Sequence, residues 1–149
     1  MENRFENFTY LILQSSRLIQ KIKNNEMKEF GLKAVHVMCI FYLHENPAGL
    51  THSELVKLTL EDKAAVSRAM MFLKERGIVS GGEKKQGNLF KLTKEGEGIA
   101  AHIDQAAEKA GAAGGQGLSE TERVIFYQSL RSITQNLTEY YQKTDKDVD

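Results

Sequence analysis

The sequence has 149 residues, of which 41% are hydrophobic and 27% charged, and a chain of this length can bury one substantial core. This composition excludes an intrinsically disordered chain, and the apolar runs are too short to span a membrane. The sequence has no basic leader before an apolar stretch, so we expect a cytoplasmic protein. It has a single cysteine, Cys39, so we expect no internal disulfide.

Charge is unevenly distributed along the chain, although the formal net charge is zero. Residues 51–96 contain nine Lys and Arg against six Asp and Glu, which is a net charge of +3. Residues 97–149 contain five positive and nine negative side chains, which is a net charge of −4. The locally basic middle of the chain favours a polyanionic partner.

Two helices are predicted in the first third of the chain. Apolar residues recur at steps of three and four from Phe5 to Ile22, the period of an amphipathic helix. The stretch from about Leu32 to Glu45 is apolar on several sides, so it predicts a buried helix, which Pro47 and Gly49 end.

The middle of the chain predicts two further helices and a hairpin. Residues 51–58 begin with a capping box, T-x-x-E, and predict a short helix. A helix of residues 62–77 follows and is closed by its final glycine. Residues 78–80 and 89–92 are short β-prone runs around a polar segment, so they predict a hairpin.

The last third predicts two more helices around a joint. A helix is expected from Lys94 to about Lys109, and Gly111–Gly117 is expected to be flexible. A second capping box, Ser119 to Glu122, begins the final helix. Its apolar residues form a heptad-like stripe of Phe126, Leu130, Ile133, Leu137 and Tyr140 or Tyr141.

Helix, turn, helix and hairpin is the order of a winged helix-turn-helix, and here it occupies the basic segment. Helical periodicity divides residues 62–77 into two faces. The core face contains Val66, Ala69, Met70 and Leu73, and the outer face contains Lys63, Ala64, Ser67, Arg68, Met71 and Lys74. Cations, a hydroxyl and soft apolar groups suit a DNA major groove. An ordinary solvated helix face is the alternative.

The run from Leu50 to Glu97 resembles the DNA-binding module of the MarR family. The matching pieces are LT..EL, VSR with hydrophobic residues four and seven places after its Val, ERGIV before the hairpin and KLTKEG after it. The first helices and the GLSETE start of the last helix lie where that family keeps its dimerisation helices. The resemblance implies a mainly α fold with a small β-hairpin wing, and a homodimer that binds a palindromic operator in duplex DNA.

The resemblance and the residue patterns together predict two regions. Residues 1–30 and 118–145 are expected to form a helical dimerisation region, and residues 31–110 the winged helix-turn-helix. The predicted DNA-binding residues are Thr51, Ser53, Lys63, Ala64, Ser67, Arg68, Met71, Lys74, Lys84, Lys85 and Lys91. The predicted dimerisation residues are Phe5, Phe8, Leu11, Ile12, Phe126, Leu130, Ile133, Leu137 and Tyr141.

The predicted wing departs from the family in one respect. Family wings commonly carry an Asp-Arg pair whose arginine enters the minor groove, whereas residues 83–88 read EKKQGN. A lysine ammonium reads a narrow groove less well than a guanidinium does. We therefore expect Lys84 and Lys85 to act mainly on phosphates.

Weaker patterns concern small ligands. The family often binds small aromatic or anionic effectors, for which Arg17, His36, Tyr42 and His44 are candidates by residue type alone, and core packing or surface exposure is the better explanation for each one. His36, Cys39 and His44 share a helix and His102 lies on another, but no acidic cluster completes a metal site, so we expect no metal and no other cofactor. Cys39 has apolar neighbours that oppose a redox role.

The sequence pattern distinguishes four kinds of function. No phosphate loop, nucleophile elbow or metallohydrolase motif is present, so an enzyme is not expected. The favoured function is a homodimeric transcription regulator, most simply a repressor relieved by an effector. The alternatives are a winged helix that docks an acidic protein, and a small-molecule sensor without a DNA role.

Overall fold

The computed structural model describes residues 3–146, so the first two residues of the predicted region 1–30 lie outside the described part. The helices and strands, in chain order, are α1 (Arg4–Glu26), α2 (Ala34–Glu45), α3 (His52–Thr59), α4 (Lys63–Glu75), β1 (Val79–Gly81), β2 (Phe90–Leu92), α5 (Lys94–Gly114) and α6 (Glu120–Lys146). Short 3-10 turns, Lys28–Phe30 and Lys84–Gln86, lie before α2 and at the hairpin tip. The predicted mainly α fold with a small β-hairpin wing is confirmed.

Side-chain caps explain where several helices begin. The Glu54 amide donates to Oγ1 of Thr51 at 3.2 Å, and the Thr51 amide donates to Oε2 of Glu54 at 2.7 Å. The same reciprocal pair joins Ser119 and Glu122 at the start of α6. Both predicted capping boxes are confirmed, and each satisfies backbone donors that a helix start leaves unpaired.

The predicted flexible joint was wrong over part of its length. Helix α5 continues through Gly111 and ends at Gly114, so only a short loop remains before α6. A glycine in a helix costs about 1 kcal/mol relative to alanine, but Ala110, Ala112 and Ala113 are strong helix formers and an established helix propagates easily. Counting glycines therefore placed the helix end too early.

The wing is an antiparallel pair in which Val79 faces Leu92 and Gly81 faces Phe90. Leu50 adds a further bridge to Phe90, with its amide donating to the Phe90 carbonyl at 3.1 Å. Gly81 has φ +97°, and a Cβ there would collide with the Leu89 carbonyl. The Leu50 bridge was not predicted, because a single paired residue has no periodicity to detect.

The chain divides into two compact units between Ala107 and Glu108, a boundary inside α5. The first unit contains one hydrophobic core centred on α2, α3, α4 and the wing, and its fully buried members include Ile40, Leu55 and Leu73. The predicted burial of α2 is confirmed, since Ala34, His36, Val37, Cys39, Ile40 and Leu43 are all buried. The grouping of residues 1–30 with 118–145 concerns the assembly and stays a prediction.

The two long terminal helices differ from the core helices in what they expose. No residue within Arg4–Glu26 is buried, and none of the side chains of residues 120–145 is buried. The exposed large hydrophobic residues of these helices include Phe5, Leu11, Ile12, Leu18, Ile19, Phe126, Ile133, Leu137 and Tyr141. Within residues 3–146, no helix is long and apolar enough to cross a membrane.

Candidate functional site

Helix α4 has one face in the core and one face in solvent. Val66, Ala69, Met70 and Leu73 are buried, so the predicted core face is confirmed. Each predicted outer residue is exposed, namely Lys63, Ala64, Ser67, Arg68, Met71 and Lys74. The apolar face anchors the helix, and the opposite face is presented as a rigid surface.

Two exposed cations, Lys63 and Arg68, lie near the beginning of α4, which follows the carboxylates of Glu61 and Asp62. Oδ1 of Asp62 accepts a hydrogen bond from the Ala65 amide at 2.7 Å and so caps the helix. Helix starts carry a partial positive charge, and the exposed Lys63 and Arg68 add two full charges within the next two turns. A surface of this kind favours phosphate groups.

Two cations beside this face have partners within the protein. Lys74 Nζ donates to the Gly81 carbonyl at 2.8 Å and lies 3.7 Å from Oε1 of Glu83. The Arg76 guanidinium donates to the Phe30 carbonyl at 3.0 Å and lies over the Phe72 ring, 5.4 Å from its centroid. Lys74 therefore joins α4 to the wing, a role that sequence reasoning missed when it counted Lys74 as a DNA contact alone.

Other predicted contacts lie around α4 on neighbouring elements. Lys84 and Lys85 are exposed in the 3-10 turn at the wing tip, and Lys91 is exposed on β2. Ser53 is exposed in the first turn of α3, and the Thr51 hydroxyl oxygen accepts the bond from the Glu54 amide as the cap of that helix, which leaves its O–H able to donate. Within residues 3–146 no ion pair involves Lys63, Arg68, Lys84, Lys85 or Lys91.

The turn between α3 and α4 contains a residue that the sequence analysis did not select. Leu60 has φ +59°, in the left-handed region, and its side chain is 90% exposed. It precedes the Asp62 cap by two positions, so it lies at the end of α4 that carries Lys63. The only sequence signal was a leucine in a turn between two predicted helices.

The four candidate effector residues lie in unlike surroundings. Nδ1 of His36 accepts from the Lys33 amide at 2.9 Å, and its ring stacks on Phe72 at 4.8 Å, so His36 is a packed core residue. Burial, followed by the charges of Lys33 and Arg76, lowers its pKa. Arg17 is exposed on α1 and Tyr42 is partly buried. Among residues 3–146, no hydrogen bond or ion pair joins any two of these four side chains.

His44 belongs to a surface ion-pair cluster that joins α2 to α5. Its Nδ1 donates to Oε2 of Glu97 at 2.6 Å, and its Nε2 lies 3.7 Å from Oδ2 of Asp104. The hydrogen bond to Glu97, followed by the nearby carboxylate charges, raises the pKa of His44. The described residues contain no group of three or more His, Cys, Asp or Glu placed to hold a metal.

Cys39 is fully buried within α2. Burial, with a smaller effect from Glu61, raises the pKa of its thiol to about 12. Because the thiolate is the reactive form, this environment makes the thiol unreactive near neutral pH.

The fold is shared with solved structures of transcription regulators. A MarR protein from Peptoclostridium difficile has a TM-score of 0.83 and 18% identity, over 97% of this chain and 95% of that chain. A SlyA-like transcription regulator from Listeria monocytogenes has a TM-score of 0.78 and 21% identity, over 98% and 96%. BpsR of Bordetella bronchiseptica, whose DNA binding is regulated by 6-hydroxynicotinic acid, has a TM-score of 0.73 and 21% identity, over 89% and 98%.

No family model and no curated protein matches the sequence. The structural matches cover nearly the whole chain and nearly the whole of each matched protein. The chain therefore has the fold of MarR-family transcription regulators, which confirms the predicted winged helix-turn-helix flanked by terminal helices.

Proposed function

We propose that this chain is a MarR-family transcription regulator, not an enzyme, that binds duplex DNA by inserting α4 into the major groove. The observation that carries this proposal is the outer face of α4. It presents Lys63, Ser67 and Arg68 to solvent, while the opposite face is fixed in the core. A recognition helix in a helix-turn-helix contacts base edges with its first turns, where these side chains lie.

The wing supplies a second, electrostatic contact. Lys84 and Lys85 are exposed at its tip without an ion-pair partner among residues 3–146. The bond from Lys74 to the Gly81 carbonyl holds the base of the wing against α4, so both elements can meet one duplex. Because the wing tip has lysines and no arginine, we assign it to phosphates and not to minor-groove readout.

The functional form that we propose is a homodimer. The exposed apolar residues of α1 and α6 exceed what a soluble monomer usually leaves in water, and a second copy of the chain would cover them. A twofold axis would place two copies of α4 in successive major grooves, about 34 Å apart. Binding of such a dimer at a promoter would exclude polymerase, so repression is the simplest outcome.

For the effector, we propose a class of ligand and no binding residues. BpsR, which has the same fold, is regulated by an aromatic anion. We propose that this chain also responds to a small aromatic or anionic ligand, with no residues assigned, because His36 and His44 are engaged elsewhere. A rise in melting temperature with 6-hydroxynicotinic acid, absent with nicotinamide, would support this class. No shift with a panel of aromatic acids would contradict it.

The DNA proposal is tested by measuring binding to a random-sequence duplex pool across a salt series. Displacement of counterions predicts that the logarithm of the binding constant falls linearly with the logarithm of salt, by about 0.9 per phosphate contacted. Selection from the same pool should then enrich a palindrome. Binding that is undetectable at low salt, or selection without enrichment, would instead favour a winged helix that docks an acidic protein.

A further inference from the structure

Leu60 combines two unfavourable features at one position. Its backbone has φ +59°, a conformation that glycine and asparagine adopt readily and that a leucine side chain opposes. Its side chain is 90% exposed, so no burial within the chain compensates for the strain. An exposed leucine alone is ordinary, but strained residues are concentrated at functional sites.

The position of Leu60 indicates what its side chain meets. It ends α3 and lies two residues before the Asp62 cap of α4, beside the exposed Lys63 and Ala64. If α4 enters a major groove, this turn is at the edge of that groove, next to the phosphates that the cations attract. The apolar group that DNA presents in the major groove is the 5-methyl group of thymine.

We propose that Leu60 is a specificity-determining residue that packs on the 5-methyl group of a thymine in each operator half-site. This inference rests on the proposed DNA-binding function. The charges of Lys63 and Arg68 bring the duplex to this surface, and the apolar contact then distinguishes thymine from the other bases. In the free protein, the left-handed backbone of Leu60 ends helix α3 at its C-cap, and the exposed side chain remains available for a contact in the complex.

The experiment uses the full chain and the duplex that it enriches from a random pool. Each thymine of one half-site is replaced singly by deoxyuridine, which removes the methyl group and keeps every hydrogen-bonding group. At one position we expect the wild-type affinity to fall about fourfold, as for the loss of one buried methyl group. At that same position the Leu60→Gly variant should show no further loss.

Leu60→Gly also has its own expected effects. Glycine relieves the left-handed strain and removes no buried group, so the melting temperature should rise by about 2 °C. Affinity for the thymine-containing duplex should fall about 16-fold in spite of this stabilisation, because the variant loses the methyl contact in both half-sites, at about fourfold each. Leu60→Asn, which also tolerates the left-handed region, should repeat the loss, whereas Leu60→Met should retain sensitivity to the methyl group.

Met71, which is 63% exposed on the outer face of α4, provides the matched control. Methyl sensitivity that persists in Leu60→Gly but disappears in Met71→Ala would overturn the assignment to Leu60. Specific binding by the wild type without sensitivity to any deoxyuridine would also overturn it, and would leave the DNA-binding proposal intact. Failure to enrich any duplex would overturn both proposals.

Discussion

Helices α4 and α6 are both amphipathic, but they use their apolar residues in opposite ways. In α4 the apolar face, with Val66 and Leu73, is buried in the chain's own core, and cations remain outside. In α6 the apolar stripe, with Phe126 and Leu137, is itself exposed. The difference fits the two partners proposed above: a polyanion for the outer face of α4 and a second apolar surface for α6.

The largest expected effect comes from placing a charge in the α6 stripe. Leu137→Glu would put a carboxylate at each side of the proposed twofold interface, where burial of an unpaired charge is strongly unfavourable. We expect sedimentation at the single-chain mass of 16.8 kDa and a loss of operator affinity of about 100-fold, because two linked half-sites become independent.

Gln128→Glu is the matched control, because this substitution adds the same charge to the same helix, on the side of α6 opposite Leu137. It should leave both mass and affinity unchanged. A Leu137→Glu protein that still sediments at twice 16.8 kDa would contradict the assignment of the stripe to the interface.

The next effect tests the exposed face of α4. Arg68→Ala should weaken operator binding by about 1 to 3 kcal/mol per half-site and relax preference at one base pair of each half-site if the guanidinium contacts a base edge. A phosphate contact would instead weaken all duplexes alike. Lys63→Ala is measured in the same competition assay, and Lys109→Ala, an exposed cation of α5 outside the basic segment, is the control. Equal binding by all three variants would remove α4 from the interface.

Substitutions at the wing compare cations without a bonding partner, Lys84 and Lys85, with one that is already bonded, Lys74. Replacing Lys84 and Lys85 together with alanine should lower the salt slope of DNA binding by about 3.6, since the dimer loses two phosphate contacts at each of its two wings and each contact removes about 0.9. Lys74→Met should leave the slope unchanged and reduce affinity about threefold, because its ammonium bonds to the Gly81 carbonyl and positions the wing.

Combining Lys74→Met with the two wing alanines distinguishes these roles. Orienting the wing matters little for DNA binding once the wing tip has no charge. The loss of binding free energy in the combined variant should therefore be smaller than the sum of the losses in the separate variants. A slope that falls by a further 1.8 or so with Lys74→Met, which removes one ammonium from each protomer, would make Lys74 a phosphate contact after all.

The smallest effect concerns stability and is independent of DNA. The pKa of His44 is raised in the folded protein by Glu97, so its contribution is complete below about pH 6.5 and is lost as pH rises through the raised pKa. After allowance for solvent screening, a pair this exposed contributes about 0.5 kcal/mol. His44→Gln should therefore lower the melting temperature by about 1 to 2 °C at pH 6 and have less effect at pH 8.

His36 gives the opposite dependence and serves as the internal reference for that measurement. Its pKa is lowered by burial, so the neutral ring is favoured and stability is lost as pH falls below about 6.5. The His44→Gln protein should keep this acid-side loss. If the His44→Gln protein has the same melting temperature as the wild type at every pH from 6 to 8, the bond from His44 to Glu97 does not persist in solution.

Much of the fold was predictable from local signals. The capping pairs at Thr51 and Ser119 and the helical spacing in α4 identified helix starts and a buried face, because hydrogen-bonding caps and periodicity depend on residues within a few positions of each other. The end of α5 was not predictable in this way. Glycine content near Gly111 opposed a helix locally, whereas propagation from a formed helix carried it to Gly114.

By itself, the order of residues determined which segments are helices or hairpin, which side of α4 is apolar, and that the wing tip carries lysines. Only the tertiary structure decided which cations remain free: within residues 3–146, Lys74 and Arg76 bond to the backbone carbonyls of Gly81 and Phe30, whereas Lys63 and Arg68 have no such bond. It also revealed Leu60, whose left-handed backbone and exposed side chain follow from how α3 and α4 meet. The reason is physical: caps and periodicity act over a few residues, whereas burial and ion pairing depend on segments brought together by folding.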